Sequence, residues 1–319
     1  MQRVNQNELI MKKINQLILL IVMFVLATPL QAQETGDNPE DMEIKQLRQQ
    51  AESGDAISQF NLGNRYHDGS GVKQSYKEAA KWYERAAEQG LVYAQYNMGI
   101  CYQNGQGVKQ DFAKAAEYFR KAAELDYPNA MLNLGNAYFY GQGVPQDMEQ
   151  ATYWYTKASE NGILSGTLNL ANAYYRGQGV EQNFTRAFRM YQLCAAQDHP
   201  MALLMLGNCY EQGNGVEQDY EQAVNYYNKA AALGQTSAYN NLGRMYAEGK
   251  GVAVDYQKAL ELYTIARESG NVEAIYNIAA LYYEGKGVGK DRKLAKQLMK
   301  EAAKKGSASA QFFLDNNKF

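Results

Sequence analysis

Two histidines, three cysteines and two lysine-bearing glycine motifs are the residues whose types could support catalysis or metal binding. His67 and His199 are the only histidines, and no His-x-x-x-His or Cys-x-x-Cys spacing exists. A zinc site needs such paired ligands, so the spacing gives it no support. His67 ends a predicted helix and His199 precedes Pro200 at a predicted helix start, which favours surface positions over a Ser-His-Asp system. We predict no metal site and no cofactor.

Both lysine-bearing motifs overlap a turn that the chain repeats. Ser70-Gly71-Val72-Lys73 has the Ser-x-x-Lys spacing of enzymes whose serine is acylated by penicillins, and residues 285–291 resemble a phosphate-binding loop. Ser70, however, occupies the variable position of a Gly-x-Gly-Val turn, where other copies have Gln, Asn or Lys. The second segment lacks the first glycine of a phosphate-binding loop and the Ser or Thr that follows its lysine. We therefore predict that the chain is not an enzyme.

The Gly-x-Gly-Val turn recurs seven times at a constant interval of 36 residues. A tyrosine stands three residues before every copy, and we expect these tyrosines to lie in the core. Self-similarity of this period is the signature of stacked structural repeats rather than of a ligand loop. The first glycines are Gly69, Gly105, Gly141, Gly177, Gly213, Gly249 and Gly285, and the tyrosines are Tyr66, Tyr102, Tyr138, Tyr174, Tyr210, Tyr246 and Tyr282.

Each turn leads into a helix with a recognisable start, face and end. Asp, Asn or Ser stands six residues after the first glycine, where a side-chain oxygen can cap a helix N-terminus. Alanine follows four residues later, and apolar residues continue at helical spacing, which defines one apolar face. A glycine typical of helix C-termini closes five copies, and Asp126 and Asp198 hold that position in the other two. Each repeat is therefore predicted to consist of helix A, a turn, helix B and a short link.

The predicted architecture is an all-α solenoid. One helix pair cannot bury its own apolar face, so neighbouring repeats must stack, with atypical half-repeats as caps. Residues 41–54 match only a helix B and residues 307–319 match only a helix A, and we predict both as capping helices. A linker is predicted at residues 33–40. Repeats 1 to 7 span residues 55–90, 91–126, 127–162, 163–198, 199–234, 235–270 and 271–306.

Residues 1–32 have the pattern of a secretory signal peptide. Lys12 and Lys13 precede an apolar run over residues 17–26, and Ala32 stands at a suitable cleavage point. Met11 is an alternative start, with residues 1–10 as an extension. An uncleaved membrane anchor is the alternative, which the short apolar run disfavours. No cysteine follows the run closely, so we expect a periplasmic or secreted protein that is not a lipoprotein and is not inserted in the membrane after cleavage.

Charge and cysteine content bear on two further protein classes. The chain has 32 Lys and Arg against 34 Asp and Glu without a long run of one sign, so it lacks the basic surface of a nucleic-acid binder. Cys101, Cys194 and Cys209 cannot all pair within one chain, and we expect them to be buried small residues. The sequence does not set the oligomeric state.

The period and residues of the repeat resemble the Sel-1-like repeat family, a group of helical arrays related to tetratricopeptide repeats. The resemblance covers about residues 43–313 and implies a right-handed superhelix of helix pairs that acts as a scaffold for protein complexes. Some cysteine-rich secreted relatives are linked to penicillin binding, so a penicillin- or cell-wall-directed binder or hydrolase is the alternative function. Repeat 2 shows the motif with Ala94, Met98, Gly99, Tyr102, Gly105, Gln106, Gly107, Val108, Asp111, Ala115, Tyr118, Phe119, Ala122 and Ala123.

Asparagines and aromatic residues recur on the part of helix A that does not carry the Tyr66 column. Asparagine fills six of seven copies of one such column, although it is a poor mid-helix residue. Two explanations are open: an internal ladder in which each amide bonds the backbone of the neighbouring repeat, or a groove that grips the backbone of an extended peptide, as in the tetratricopeptide clamps that this pattern resembles.

The aromatic residues beside the asparagines suit a binding surface, because they offer large contacts with few torsions to freeze. In solenoids of this kind the concave face, which the first helices usually line, is the customary binding face. We therefore predict an exported, non-catalytic scaffold or adaptor that binds a protein or peptide partner along the concave helix A surface. The predicted binding residues are Tyr93, Tyr96, Asn97, Asn133, Asn136, Phe139, Tyr140, Asn169, Asn172 and Tyr175.

Overall fold

Helices account for all the regular secondary structure of residues 39–316, the part of the chain that the computed structural model describes. Seven helix pairs, α2 to α15, are preceded by α1 and followed by α16, which confirms the predicted all-α solenoid of seven repeats with half-repeat caps. The helices are α1 Pro39–Glu52, α2 Ala56–Asp68, α3 Tyr76–Glu88, α4 Val92–Asn104, α5 Phe112–Glu124, α6 Pro128–Tyr140, α7 Met148–Glu160, α8 Leu164–Arg176, α9 Phe184–Ala195, α10 Pro200–Gln212, α11 Tyr220–Ala232, α12 Thr236–Glu248, α13 Tyr256–Glu268, α14 Val272–Glu284, α15 Arg292–Lys304 and α16 Ala308–Asn316.

The structure tests only the last part of the segments predicted at the N-terminus. The predicted signal peptide, residues 1–32, lies outside the described residues, as does most of the predicted linker. The last two linker residues already belong to α1, which begins at Pro39, a residue type favoured in the first helical turn. Even-numbered helices from α2 to α14 are the A helices of the repeats, and odd-numbered helices from α3 to α15 are the B helices.

The helices form two compact units. The N-terminal unit comprises α1 to α3, α4 as far as Cys101, and residues 105–109, and the C-terminal unit comprises residues 102–104 and the chain from Gln110 onward. Within the C-terminal unit each helix packs mainly on the helices next to it in sequence: α6 on α7, α7 on α8, and so on to α15 on α16. This nearest-neighbour pattern is the packing of a helical solenoid.

The helix B starts are confirmed as capped N-termini. In repeat 3, Asp147 Oδ1 accepts hydrogen bonds from the backbone N–H groups of Glu149 and Gln150, each at 3.0 Å. These bonds satisfy donors that the first helical turn cannot pair internally. The same cap is formed by Ser75, Asp111, Asn183, Asp219, Asp255 and Asp291.

The core is built from small residues and a helix B tyrosine. Tyr155 is buried on α7 and lies against Gly135 of α6, where an added Cβ would be 2.7 Å from the ring. The helix A tyrosines three residues before each turn are buried or pack against the core. Tyr102 is buried, but Tyr138 is only half-buried, and its hydroxyl accepts a hydrogen bond from Arg120 at 3.0 Å. The prediction that this column lies in the core is therefore confirmed, with the hydroxyl end of Tyr138 extending from the core to Arg120.

The Gly-x-Gly-Val turn is a contact between repeats. In repeat 3, Gly141 ends α6 with a left-handed φ of 66°, and the Gln146 side chain donates to the Phe139 carbonyl at 2.8 Å. Gly143 has a φ of 75°, and a Cβ there would lie 1.9 Å from the Phe112 carbonyl oxygen at the start of the preceding helix B. The second glycine is therefore required by a neighbouring backbone, which leaves no space for a phosphate at that point.

Candidate functional site

Three of the predicted binding residues belong to the N-terminal unit. Tyr93 is 52% exposed on α4, whereas Tyr96 and Asn97 are half-buried. The buried Tyr83 donates its hydroxyl proton to Asn64 Oδ1 at 2.7 Å. Burial raises the pKa of Tyr83 and a hydrogen bond from Asn97 lowers it, with burial the larger effect. Asn97 thus takes part in a polar cluster inside the unit while part of its surface stays accessible.

The C-terminal unit contains a ladder of tyrosine and asparagine side chains. Tyr155 donates to Asn136 Oδ1 at 2.9 Å, and Asn169 of the next repeat donates to the same oxygen at 3.3 Å. Tyr191 donates in the same way to Asn172 at 2.7 Å. Burial raises the pKa of both tyrosines, so their hydroxyls remain protonated donors. An internal ladder is therefore present and crosses from one repeat to the next, but its bonds join side chains and do not reach the neighbouring backbone as the sequence analysis expected.

The ladder explains why asparagine recurs within helix A. A buried tyrosine hydroxyl needs a hydrogen-bond partner, and a short amide on the facing helix supplies one. In two repeats both polar groups are absent, since repeat 2 has Ile100 with Phe119 and repeat 7 has Ala280 with Met299, whereas repeat 6 keeps Tyr263 opposite Arg244. This covariation between positions 19 residues apart is a sequence signal that could have predicted the ladder.

Asn133 differs from the other predicted asparagines. Its side chain is half-buried on α6 and makes no hydrogen bond to any residue in the range 39–316. Asn136, Asn169 and Asn172 each use an amide group in the ladder. With Asn97, which bonds Tyr83 in the N-terminal unit, four of the five predicted asparagines have a structural role and one, Asn133, has an available amide.

A cleft of about 200 Å³ between α6 and α8 brings four predicted residues together, namely Phe139, Tyr140, Asn169 and Asn172. Tyr140 is 65% exposed and packs edge-on against Phe139 with ring centroids 4.9 Å apart. Tyr155, Ala173, Arg176 and Gln178 complete the lining, and the sequence reasoning did not predict these four as site residues. Arg176 is the last residue of α8, and its place beside the asparagine column could have indicated it.

Tyr175 does not line this cleft. Its hydroxyl donates to Gln212 Oε1 at 3.1 Å and accepts a hydrogen bond from Asn214 at 2.9 Å, so it connects repeat 4 to repeat 5. Burial raises its pKa above the ordinary tyrosine value. Tyr175, although predicted as a binding residue, is therefore oriented toward repeat 5 rather than toward Tyr140.

Glu211 on α10 is a buried charged residue that the sequence analysis did not single out. It is 7% exposed and accepts a bidentate ion pair from Arg244 of the next helix A, with Nη2 2.8 Å from Oε2. The Tyr227 hydroxyl lies 2.7 Å from both Glu211 Oε2 and Asn208 Oδ1. Burial raises the pKa of Glu211, but hydrogen bonds from Arg244 and Tyr227 outweigh it, so the carboxyl stays ionised at neutral pH. The pair joins repeats 5 and 6.

The candidate catalytic groups do not form a site. Ser70 and Lys73 line different clefts, and His67 bonds its neighbour Asp68 at 2.6 Å. Among the described residues, no three His, Cys, Asp or Glu side chains are close enough to hold a metal ion. Cys101, Cys194 and Cys209 are free and buried, as predicted, and burial raises their thiol pKa to about 11, 11 and 12. None of the helices in residues 39–316 is long and apolar enough to cross a membrane.

The repeats match a known family along their whole length. The family model described as Sel1 repeat matches residues 56–91, 92–127, 128–163, 165–199, 200–235, 236–271 and 272–307. This chain belongs to the Sel1 repeat family. Sel1 repeat proteins mediate protein–protein interactions, and their fold is typically non-catalytic.

Two solved Sel1 repeat structures are similar to this Sel1 repeat protein in sequence and in fold. The chain is 33% identical to c5321, a protective antigen of uropathogenic Escherichia coli strains with an SLR fold, with a TM-score of 0.68 over 86% of this chain and 68% of that one. It is 32% identical to a Sel1 repeat protein of Oxalobacter formigenes, with a TM-score of 0.67 over 88% of this chain and 82% of that one. Among curated protein sequences, none matches this Sel1 repeat chain.

Proposed function

We propose that this Sel1 repeat protein is an exported, non-catalytic scaffold that binds an extended segment of a protein partner along the helix A surface of repeats 3 and 4. The cleft between α6 and α8 carries the proposal, because it combines an exposed aromatic residue, Tyr140, with half-buried amides. An extended peptide offers backbone N–H and C=O groups at regular spacing, and asparagine amides can both donate to and accept from them.

The ladder supports this proposal rather than competing with it. Asn169 donates to Asn136 at 3.3 Å, which uses one of the two amide hydrogens of Asn169 and leaves its carbonyl oxygen for a ligand. Because this bond already fixes the Asn169 side chain, less side-chain entropy is lost when a peptide binds. Asn133, which has no internal partner among the described residues, lies outside this cleft, where it lines a crevice of about 10 Å³ with Asn136, and we expect it to contact a peptide that extends along α6 beyond the cleft.

The partner-binding proposal is tested by affinity capture with two matched tyrosine variants of repeat 3. Tyr140 is 65% exposed on α6 and packs on Phe139, and Tyr153 is 51% exposed on α7 and packs on Trp154 in the same edge-on geometry. The immobilised chain is exposed to envelope proteins of its own cell, and captured proteins are quantified by mass spectrometry. Tyr140→Ala should lose the captured partner and Tyr153→Ala should retain it. Equal capture by both variants would overturn the choice of helix A.

The asparagines are tested in the same capture assay with the double variant Asn133→Ala and Asn169→Ala. Asn228, an exposed asparagine on α11 that bonds the Val224 carbonyl at 3.0 Å, provides the control Asn228→Ala. We expect the double variant to lose capture while it keeps the helical circular dichroism spectrum. A double variant that captures the partner as well as Asn228→Ala does would show that these amides only brace the repeats.

Export is a separate part of the proposal. It is supported by the basic residues, apolar run and Ala32 of the N-terminal segment. Expression of the full chain with a C-terminal tag, followed by fractionation and intact mass measurement, should give a periplasmic or secreted product that begins at Gln33. Recovery of only full-length protein with the membranes would instead indicate an uncleaved anchor.

A further inference from the structure

Charged residues are almost absent from three consecutive A helices of the C-terminal unit. Helix α6 has no Asp, Glu, Lys or Arg, helix α8 has only Arg176, and helix α10 has only Glu211. Glu211 is buried and neutralised by its ion pair with Arg244. Of the two charged residues on these three helices, Glu211 is paired with the next A helix and Arg176 is not.

Acidic residues at the position equivalent to Arg176 in other repeats differ from Arg176 because they have partners. Where that position is acidic, a nearby base accompanies it: Asp68 has His67 at 2.6 Å, Glu248 has Lys250 at 2.7 Å, and Glu284 has Lys286 at 2.6 Å. Arg176 is exposed and forms no ion pair with any carboxylate of residues 39–316. Its neighbours in the column, Tyr140 and Gln212, are uncharged. Among the described residues of this helix-end column, Arg176 is thus the charged residue without an ion-pair partner.

The surroundings of Arg176 are those of a binding cleft. It shares the lining of the 200 Å³ cleft with Phe139, Tyr140, Asn169 and Asn172. The backbone of the turn that follows is held in place, because Gln182 donates to the Tyr175 carbonyl at 2.9 Å. Thr152 Oγ1, which bonds the Met148 carbonyl of its own helix at 2.8 Å, also lies 3.1 Å from the Gln178 carbonyl oxygen. A guanidinium at the end of a fixed helix beside amide donors is suited to a planar anion, since its donors match two oxygens at once.

From this arrangement we infer that the cleft between α6 and α8 binds a carboxylate of the partner segment, with Arg176 as its ion-pair partner. The inference rests on the proposed function, because the carboxylate belongs to the peptide held along helix A. A phosphate is the less suitable anion: it carries close to two charges, and protein sites for phosphorylated segments usually combine several arginines. One arginine matches one carboxylate, supplied either by an Asp or Glu side chain or by the chain terminus.

Two synthetic random-peptide pools, one with free C-terminal carboxylates and one with amidated C-termini, provide the probe. The full chain selects binders from each pool, and their dissociation constants are measured for wild type, Arg176→Gln and Arg189→Gln. Arg189 is an exposed arginine of the same repeat on α9 and serves as the matched control. Selected peptides should carry Asp or Glu in both pools if a side chain supplies the carboxylate, and should come only from the free-acid pool if the terminus does.

The expected result is that Arg176→Gln binds the selected peptides about tenfold more weakly than wild type, while Arg189→Gln is unchanged. The wild-type affinity should also fall as salt is raised, and the affinity of Arg176→Gln should fall less. Selected peptides that lack carboxylates, or that bind Arg176→Gln as tightly as wild type, would overturn the inference and leave the proposed peptide scaffold intact. Failure of wild type to select any peptide from either pool would overturn both.

Discussion

Replacing Gly143 with alanine should destabilise the chain much more than replacing Gly162, although both glycines have left-handed backbones, with φ values of 75° and 80°. A Cβ on Gly143 would lie 1.9 Å from the Phe112 carbonyl oxygen, whereas a Cβ on Gly162 meets nothing within 4 Å. Ordinary contacts of a Cβ begin at 3.4 Å, so the turn of repeat 3 and the start of α5 would have to separate by about 1.5 Å. The comparison therefore isolates the contact between repeats from the backbone preference.

The magnitudes follow from these two terms. Gly162→Ala incurs only the left-handed strain of an L-residue, about 1–2 kcal/mol of unfolding free energy. Gly143→Ala incurs the same strain and the displacement of packed backbone, which adds about 1–3 kcal/mol. Urea denaturation followed by far-ultraviolet circular dichroism measures both. Equal losses for the two variants would refute the assignment of the second glycine to inter-repeat packing, and an unchanged stability of Gly143→Ala would reopen a ligand role for the turn.

Three further predictions concern the polar and thiol groups of the core. Glu211→Gln should lower the unfolding free energy by about 3 kcal/mol, because it leaves the Arg244 charge unpaired. The pKa of Glu211 is lower in the folded than in the unfolded chain, so the ionised carboxyl stabilises the fold above the unfolded pKa, and this stabilisation is lost as pH falls through the folded pKa. The difference in unfolding free energy between wild type and Glu211→Gln should therefore shrink below about pH 4. A difference that stays constant with pH would contradict this prediction. Tyr191→Phe and Asn172→Ala should each cost about 1–2 kcal/mol, and the double variant should cost less than the sum; strict additivity in denaturation would argue against the ladder bond. Because burial raises their pKa, the three cysteine thiols should react with iodoacetamide only after unfolding, and rapid alkylation of the native chain would contradict their burial.

The sequence predicted those features that depend on neighbouring residues in the chain. The caps at Asp147 and its equivalents and the left-handed turn at Gly141 are local, so residue type and spacing were sufficient. How far a core tyrosine is covered depends on how two helices approach each other, so the sequence placed Tyr138 in the core but did not predict that its hydroxyl reaches Arg120. Gly143 appeared to need only backbone freedom, because the Phe112 carbonyl that excludes a side chain belongs to the preceding repeat.

The candidate site was also predicted only in part, because spacing along one helix can be read from the sequence and contacts between helices cannot. The spacing of helix A placed Phe139, Tyr140, Asn169 and Asn172 on one surface, and they do line one cleft. Arg176 was missed because the predicted residues were asparagines and aromatic residues, whereas its column carries an arginine in repeat 4 alone. The two explanations of the asparagines could not be separated by residue type, because an amide that bonds Tyr155 and one that bonds a peptide look alike in sequence.

The central claim, that the helix A surface of repeats 3 and 4 contacts the partner, is tested most directly by site-specific photocrosslinking in the living cell. A photoreactive phenylalanine analogue replaces Tyr140 in one full-length chain and Tyr153 in another, since both positions are exposed in the same repeat. Illumination should give a discrete adduct with a partner protein from position 140 and none from position 153. Adducts from position 153 alone would place the partner on helix B and contradict the account.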